Sequence, residues 1–119
     1  MNTKQVTELA LSALDDMKAQ DVRILDVSNK STITETMIVA TGTSTRHVKS
    51  IAENVALEAK RQDNPALGVE GEQGSEWVLV DLDDVVVHVM LQQTRDFYNL
   101  EKLWGTETKV EIEAESKAK

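Results

Sequence analysis

The chain predicts a single α/β domain in which helices pack against one sheet in the α+β manner, and three observations carry that expectation. Apolar residues recurring every three or four positions alternate along the chain with short β-branched runs, the signature of helices alternating with strands. Turn-forming residues, including the only proline, Pro65, fall between those runs. The length of 119 residues, 40% of them hydrophobic, suffices for one core and is too short for two.

The elements follow in order. Val6, Leu9, Ala10, Ala13, Leu14 and Met17 lie on one stripe of an amphipathic helix that starts at Thr3 and ends near Ala19. Residues 22–28 (VRILDVS) and 36–41 (TMIVAT) read as neighbouring strands, with Asn29, Lys30 and Ser31 supplying turn chemistry between them. Gly42 ends the second strand, and Thr43 or Ser44 is suited to cap a helix carrying Val48, Ile51, Ala52, Val55, Ala56 and Ala59 to about Gln62. A short strand at 67–70 precedes Gly71 and Gly74. Two stronger strands, 76–82 and 85–91, flank Asp83 and Asp84 and predict a tight antiparallel hairpin. Thr94 is suited to cap a last helix through Phe97, Leu100 and Leu103 to Trp104. Residues 1–105 therefore form the expected domain, and the charged segment 106–119, poor in large apolar groups, is expected to be a flexible tail.

Strand alternation sorts the hairpin into two faces. Val78, Val80 and Leu82 share one side with Val85, Val87 and Val89, a natural core, while Trp77, Leu79 and Asp81 share the other with Val86, His88 and Met90. If the first two helices cover the valine side, then Trp77, Leu79, His88 and Met90 lie on the far side. Spacing alone leaves open whether that set is an exposed patch or is covered by a further helix or the C-terminal segment. Clusters rich in Trp, Met and Tyr suit protein interfaces. In the last helix, Phe97, Leu100 and Leu103 are expected to form the buried stripe, with Tyr98 pointing away from it.

Composition excludes several function classes. Thirteen basic residues against 21 acidic give a formal charge of -8, which disfavours a direct grip on nucleic-acid phosphates and favours a basic partner. The absence of cysteine removes disulfides, thiolate nucleophiles and thiolate metal sites. No apolar run approaches the roughly 20 residues that span a bilayer, so the expectation is a soluble cytoplasmic protein without a membrane partner. Gly42, Thr43 and Ser44 between a strand and a helix resemble a phosphate-cradling turn, but GxxxxGK[ST] and GxGxxG are both missing. Asp81, Asp83 and Asp84 lack the partner groups a magnesium site needs, His47 and His88 have no metal-ligand spacing, and no GxSxG elbow accompanies Ser44 or Ser50. No metal, cofactor or catalytic constellation is expected. His47 reads as a surface or capping residue.

The segment DVRILDVSNKSTITETMIVATGTSTRHVKSIAENV, then GVEG, WVLVDLDDVVVHVM and RDFYNLEKLW, in this order and spacing over residues 1–105, resembles the ribosomal silencing factor family, also called the iojap family. The resemblance implies a mixed sheet of about five strands with helices packed on it, similar in architecture to nucleotidyltransferases. Those enzymes use a Gly-Ser turn followed by paired carboxylates, whereas here no acidic pair spaced for two-metal chemistry follows Gly42. The implied role is non-enzymatic. It is to bind the large ribosomal subunit through its protein number fourteen, hinder joining of the small subunit and lower translation.

Combined with the two-faced hairpin, this resemblance nominates a partner contact. Trp77, Leu82, His88, Met90 and Tyr98 are the apolar candidates, and Asp81, Asp83 and Glu101 the acidic rim. Leu82 lies on the strand face opposite Trp77 and qualifies only because it ends its strand at the turn. Two other classes stay open: a nucleotide-binding enzyme of nucleotidyltransferase type, and a homodimeric adaptor that uses the same patch for self-association.

Overall fold

The computed structural model describes residues 1–28, 34–104 and 110–111. Helix α1 (Thr3–Asp16) begins at Asn2, whose side chain accepts the Gln5 N–H at 2.8 Å while the Gln5 side chain accepts the Asn2 N–H at 3.0 Å. This reciprocal capping satisfies two amide donors that the first helical turn leaves unpaired. The helix stops three residues short of the expected Ala19, and Lys18 follows at φ 59° in the left-handed region.

Strands β1 (Gln20–Asp26) and β2 (Thr36–Gly42) pair antiparallel, with Ile24 opposite Ile38. The turn residues expected between them, 29–31, lie outside the described residues. Helix α2 (Thr45–Arg61) is capped by Ser44, whose hydroxyl accepts the His47 N–H at 3.0 Å. A Cβ on Gly42 would lie 2.7 Å from Val48 Cγ2, so the close approach of strand end and helix start requires glycine there. Strands β3 (Gly68–Glu70), β4 (Trp77–Asp81) and β5 (Val85–Leu91) follow. The β4–β5 hairpin turns through Asp83 and Asp84 as expected; Asp83 stands at φ 78°, its N–H held by the Asp81 carboxylate at 2.8 Å.

The last helix divides in two. Helix α3 (Gln92–Tyr98) ends where Asn99 turns left-handed at φ 46°, and α4 (Leu100–Trp104) restarts after it. Of the segment 106–119, Val110 and Glu111 are described, and they form a two-residue strand, β6, on the edge of β1. The sheet order is β3-β4-β5-β2-β1-β6, with β2 and β5 parallel and the other pairs antiparallel. This is the expected mixed sheet, with that edge strand added to the five.

Helices α1 and α2 cover one side. Val6, Leu9, Ala10 and Leu14 of α1 and Val48, Ile51, Ala52 and Val55 of α2 close over Ile38, Ala40 and the hairpin valines, and all are buried. Val78, Val80, Val85, Val87 and Val89 are inaccessible to solvent. Each such valine stabilises the fold by about 1.5–3 kcal/mol relative to exposure. The other side carries a smaller cluster of Leu25, Val27, Met37, Val39, Met90 and Leu100, with Trp77 partly buried against it.

Candidate partner-binding surface

The cross-strand register lays out the far side of the sheet in rows. Trp77 is opposite Met90, Leu79 opposite His88 and Asp81 opposite Val86, and each β5 residue is followed on β2 by Thr41, Val39 and Met37 in turn. Leu100 joins Met37, Val39 and Met90 in the buried cluster on this face. Leu79 and Val86 are half-buried.

A ladder of rings climbs from this face into solvent. Trp77 meets Tyr98 with ring centroids 4.8 Å apart and planes tilted by 51°, and Tyr98 meets Phe97 edge-on at 4.9 Å. Both are favoured aromatic geometries. Tyr98 is 52% exposed and Phe97 79%. At the base of the ladder, the Trp77 indole N–H donates to His88 Nδ1 at 2.9 Å. Burial pulls the His88 pKa from 6.5 down to about 4.

What holds the ladder in place is Arg95. Its buried guanidinium donates to the Asp21 carbonyl oxygen at 2.7 Å, to Thr41 Oγ1 at 2.8 Å and to Glu101 Oε2 at 2.6 Å, so α3 is tied at once to β1, β2 and α4. These charge-assisted bonds belong to the strong class. Below Trp77, Gly71 stands at φ 90°, where a Cβ would overlap the Trp77 carbonyl oxygen.

A concavity of about 490 Å³ opens at the start of α2, lined by Gln20, Thr41, Gly42, Thr43, Ser44, Thr45, Leu91, Gln92 and Gln93. None of these side chains is ionisable. Among the described residues no group of three or more His, Cys, Asp or Glu is placed to hold a metal ion, and no helix is long and apolar enough to cross a membrane. His47 accepts the Thr43 N–H on Nδ1 at 2.9 Å and sits 2.7 Å from the Met17 carbonyl oxygen through Nε2, tying α1 to α2.

The family model described as "Ribosomal silencing factor during starvation" matches residues 1–119, the whole chain. The chain belongs to the ribosomal silencing factor family. A relative from Chromobacterium violaceum named as a ribosomal silencing factor is 46% identical over 105 residues, covering 88% of this chain and 86% of that protein. A crystal structure of a protein from the same organism superposes with a TM-score of 0.87 at 43% identity, covering 93% of this chain and 92% of the other. A more distant mouse relative, 31% identical over 82% of this chain and 44% of its own length, is named for mitochondrial assembly of the ribosomal large subunit. The name of the ribosomal silencing factor family denotes a regulatory role rather than catalysis.

Against this family frame the expected contact residues divide. Trp77 is partly exposed and Tyr98 open to solvent, as a contact requires. Met90 is inaccessible, because it is packed into the far-side cluster with Leu25, Val27, Met37, Val39 and Leu100. Leu82 is buried as well, on the helix side with the valines, because the strand alternation carries through to the turn. His88 keeps only 6% exposure. Asp83 is exposed and Asp81 half-buried, whereas Glu101 is bound to Arg95 and acts as an internal anchor, not a free rim charge.

Phe97 corrects the helical stripe. It was expected inside with Leu100, but the left-handed Asn99 resets the phase between α3 and α4, leaving Phe97 outside and Leu100 buried. The side chain of Leu103, the third member of that stripe, lies outside the described residues. The RDFY run carries the signal for both missed residues, since Arg95 and Phe97 lie within the three residues that precede the exposed Tyr98. A seven-residue helix is too short for periodicity to assign their faces.

Proposed function

We propose that the chain represses translation by docking the far side of its sheet on the large ribosomal subunit, through protein number fourteen, where its bulk blocks joining of the small subunit. The observation that carries this reading is the Trp77–Tyr98–Phe97 ladder, an exposed aromatic stack on a domain of net charge -8. Large rigid rings supply contact area at low entropic cost, and an acidic domain suits a basic ribosomal protein. Steric blocking needs affinity and no chemistry, which accords with a concavity at α2 lacking ionisable groups. The mouse relative's name, with its reference to the ribosomal large subunit, points the same way. Such a factor works in the cytoplasm and without direct sequence-specific contact to nucleic acid. Free of the ribosome, the same ladder is the surface through which two copies would pair.

Sedimentation of ribosomal subunits with the protein tests the proposal. The wild type should travel with the large subunit and reduce joined particles. Tyr98→Ala should cost about 2 kcal/mol of that binding and Phe97→Ala a smaller part of it, while the melting temperature stays near that of the wild type. Full binding by both folded variants would rule out the ladder as the contact.

A further inference from the structure

The hydrogen bond inside the ladder fixes more than a ring position. Indole N–H only donates, so His88 Nδ1, which receives it at 2.9 Å, carries no hydrogen. A neutral imidazole then bears its hydrogen on Nε2. His47 has the same tautomer for the same kind of reason, its Nδ1 being taken by the Thr43 N–H, and its Nε2–H finds the Met17 carbonyl at 2.7 Å. The Nε2–H of His88 makes no hydrogen bond to any described residue, although the side chain retains only 6% exposure. Its row neighbours on the sheet are Leu79 and Val39, whose side chains offer no acceptor.

Folded proteins leave few buried donors unpaired, because the lost hydration is not repaid. Arg95, equally buried, spends its guanidinium on three acceptors. This donor lies in the floor of the proposed docking surface, at the foot of the aromatic ladder. We infer that His88 is the specificity-determining polar residue of this surface, its Nε2–H donating to a carbonyl oxygen of the docked protein partner. Trp77 is the positioning residue that locks the tautomer. A neutral carbonyl is the fitting acceptor, since a domain of charge -8 repels a carboxylate. The inference rests on the reading that this face docks the large subunit.

Two substitutions separate the roles. In His88→Asn the amide oxygen takes the place of Nδ1, so the Trp77 N–H keeps an acceptor while the outer donor is lost. In His88→Gln the amide nitrogen comes near the position of Nε2, so the donor is retained. With isolated large ribosomal subunits as the probe, His88→Asn should melt close to the wild type yet bind about tenfold more weakly. His88→Gln should recover part of that loss. In the free protein, nitrogen NMR should find His88 protonated on Nε2 alone, and that proton should shift downfield and exchange more slowly on binding. Wild-type affinity in a folded His88→Asn variant, or a hydrogen on Nδ1, would overturn the inference. Tyr98→Ala distinguishes the two failures. If it loses binding while His88→Asn keeps it, only the role of His88 falls; if both bind fully, the docking face falls with it.

Discussion

Replacing Arg95 by methionine keeps the aliphatic stem and deletes the charged head that fastens α3. Five contacts disappear: the bonds to the Asp21 carbonyl, to Thr41 Oγ1 and to Glu101 at 2.6 Å, the weaker 3.2 Å approach of Nε to the same carboxylate, and the 3.6 Å ion pair with the Asp21 carboxylate. Removing one partner of a buried ion pair costs about 3–5 kcal/mol, because the other is left uncompensated. The Glu101 side chain is 26% exposed, so water recovers part of its solvation and the lower end applies. The expected loss is about 3 kcal/mol. Urea unfolding followed by circular dichroism should show it as a lower midpoint at unchanged slope. Arg95→Lys, which can meet one acceptor but not three, should lose about half as much. A double-mutant cycle with Glu101→Gln should return a coupling of roughly 1–3 kcal/mol. Amide exchange in residues 92–104 should quicken as the ladder loosens. An Arg95→Met variant within about 0.5 kcal/mol of wild type, or a coupling of zero, would refute the claim that this arginine fastens the segment.

The buried His88 sets a pH limb of stability. It titrates at about 4 in the folded protein and near 6.5 when exposed, so between those values the unfolded chain holds a proton that the folded chain refuses. Stability should therefore fall as pH drops from 6.5 toward 4, by up to about 3 kcal/mol, and be flat in this respect above 6.5; His88→Asn should remove that limb from urea titrations. Gly71→Ala places a Cβ on the Trp77 carbonyl at a φ that alanine resists, so a loss of about 2 kcal/mol or more is expected in the same assay. Association with the large subunit should slow as salt rises while dissociation changes less, because exposed acidic groups such as Asp83 steer the encounter. A salt-independent on-rate measured by stopped flow would remove them from the account.

How far residues alone carry the fold depends on which period they report. The helix stripes of α1 and α2 and the valine face of the hairpin were legible because each lies in a long element with one buried side, and the structure closes them on each other. The far side was legible only as a set, Trp77 with Leu79, His88 and Met90. Which of these is covered depends on where Leu100 lands, and that depends on a left-handed Asn99, which periodicity does not register. Arg95 was invisible for a different reason. In a short polar helix an arginine reads as a solvated side chain, and its three acceptors come from Asp21, Thr41 and Glu101, distant in sequence or across a helix break.

Trp77 stands where these two levels meet. It closes the far-side core beside Met90, donates to His88 and stacks on Tyr98, while its backbone carbonyl lies against a glycine that admits no side chain. A ring held by these three side-chain contacts has little freedom left to lose when a partner arrives, so little of its binding energy is lost in ordering. Phe97, at the solvent end of the ladder, is held by a single ring contact among the described residues and must be ordered on contact. The ladder therefore grades from rigid to adaptable along its length. Affinity should be concentrated at the Trp77–Tyr98 end, with Phe97 contributing reach more than strength. That gradient follows from the same core packing that keeps Met90 out of the contact.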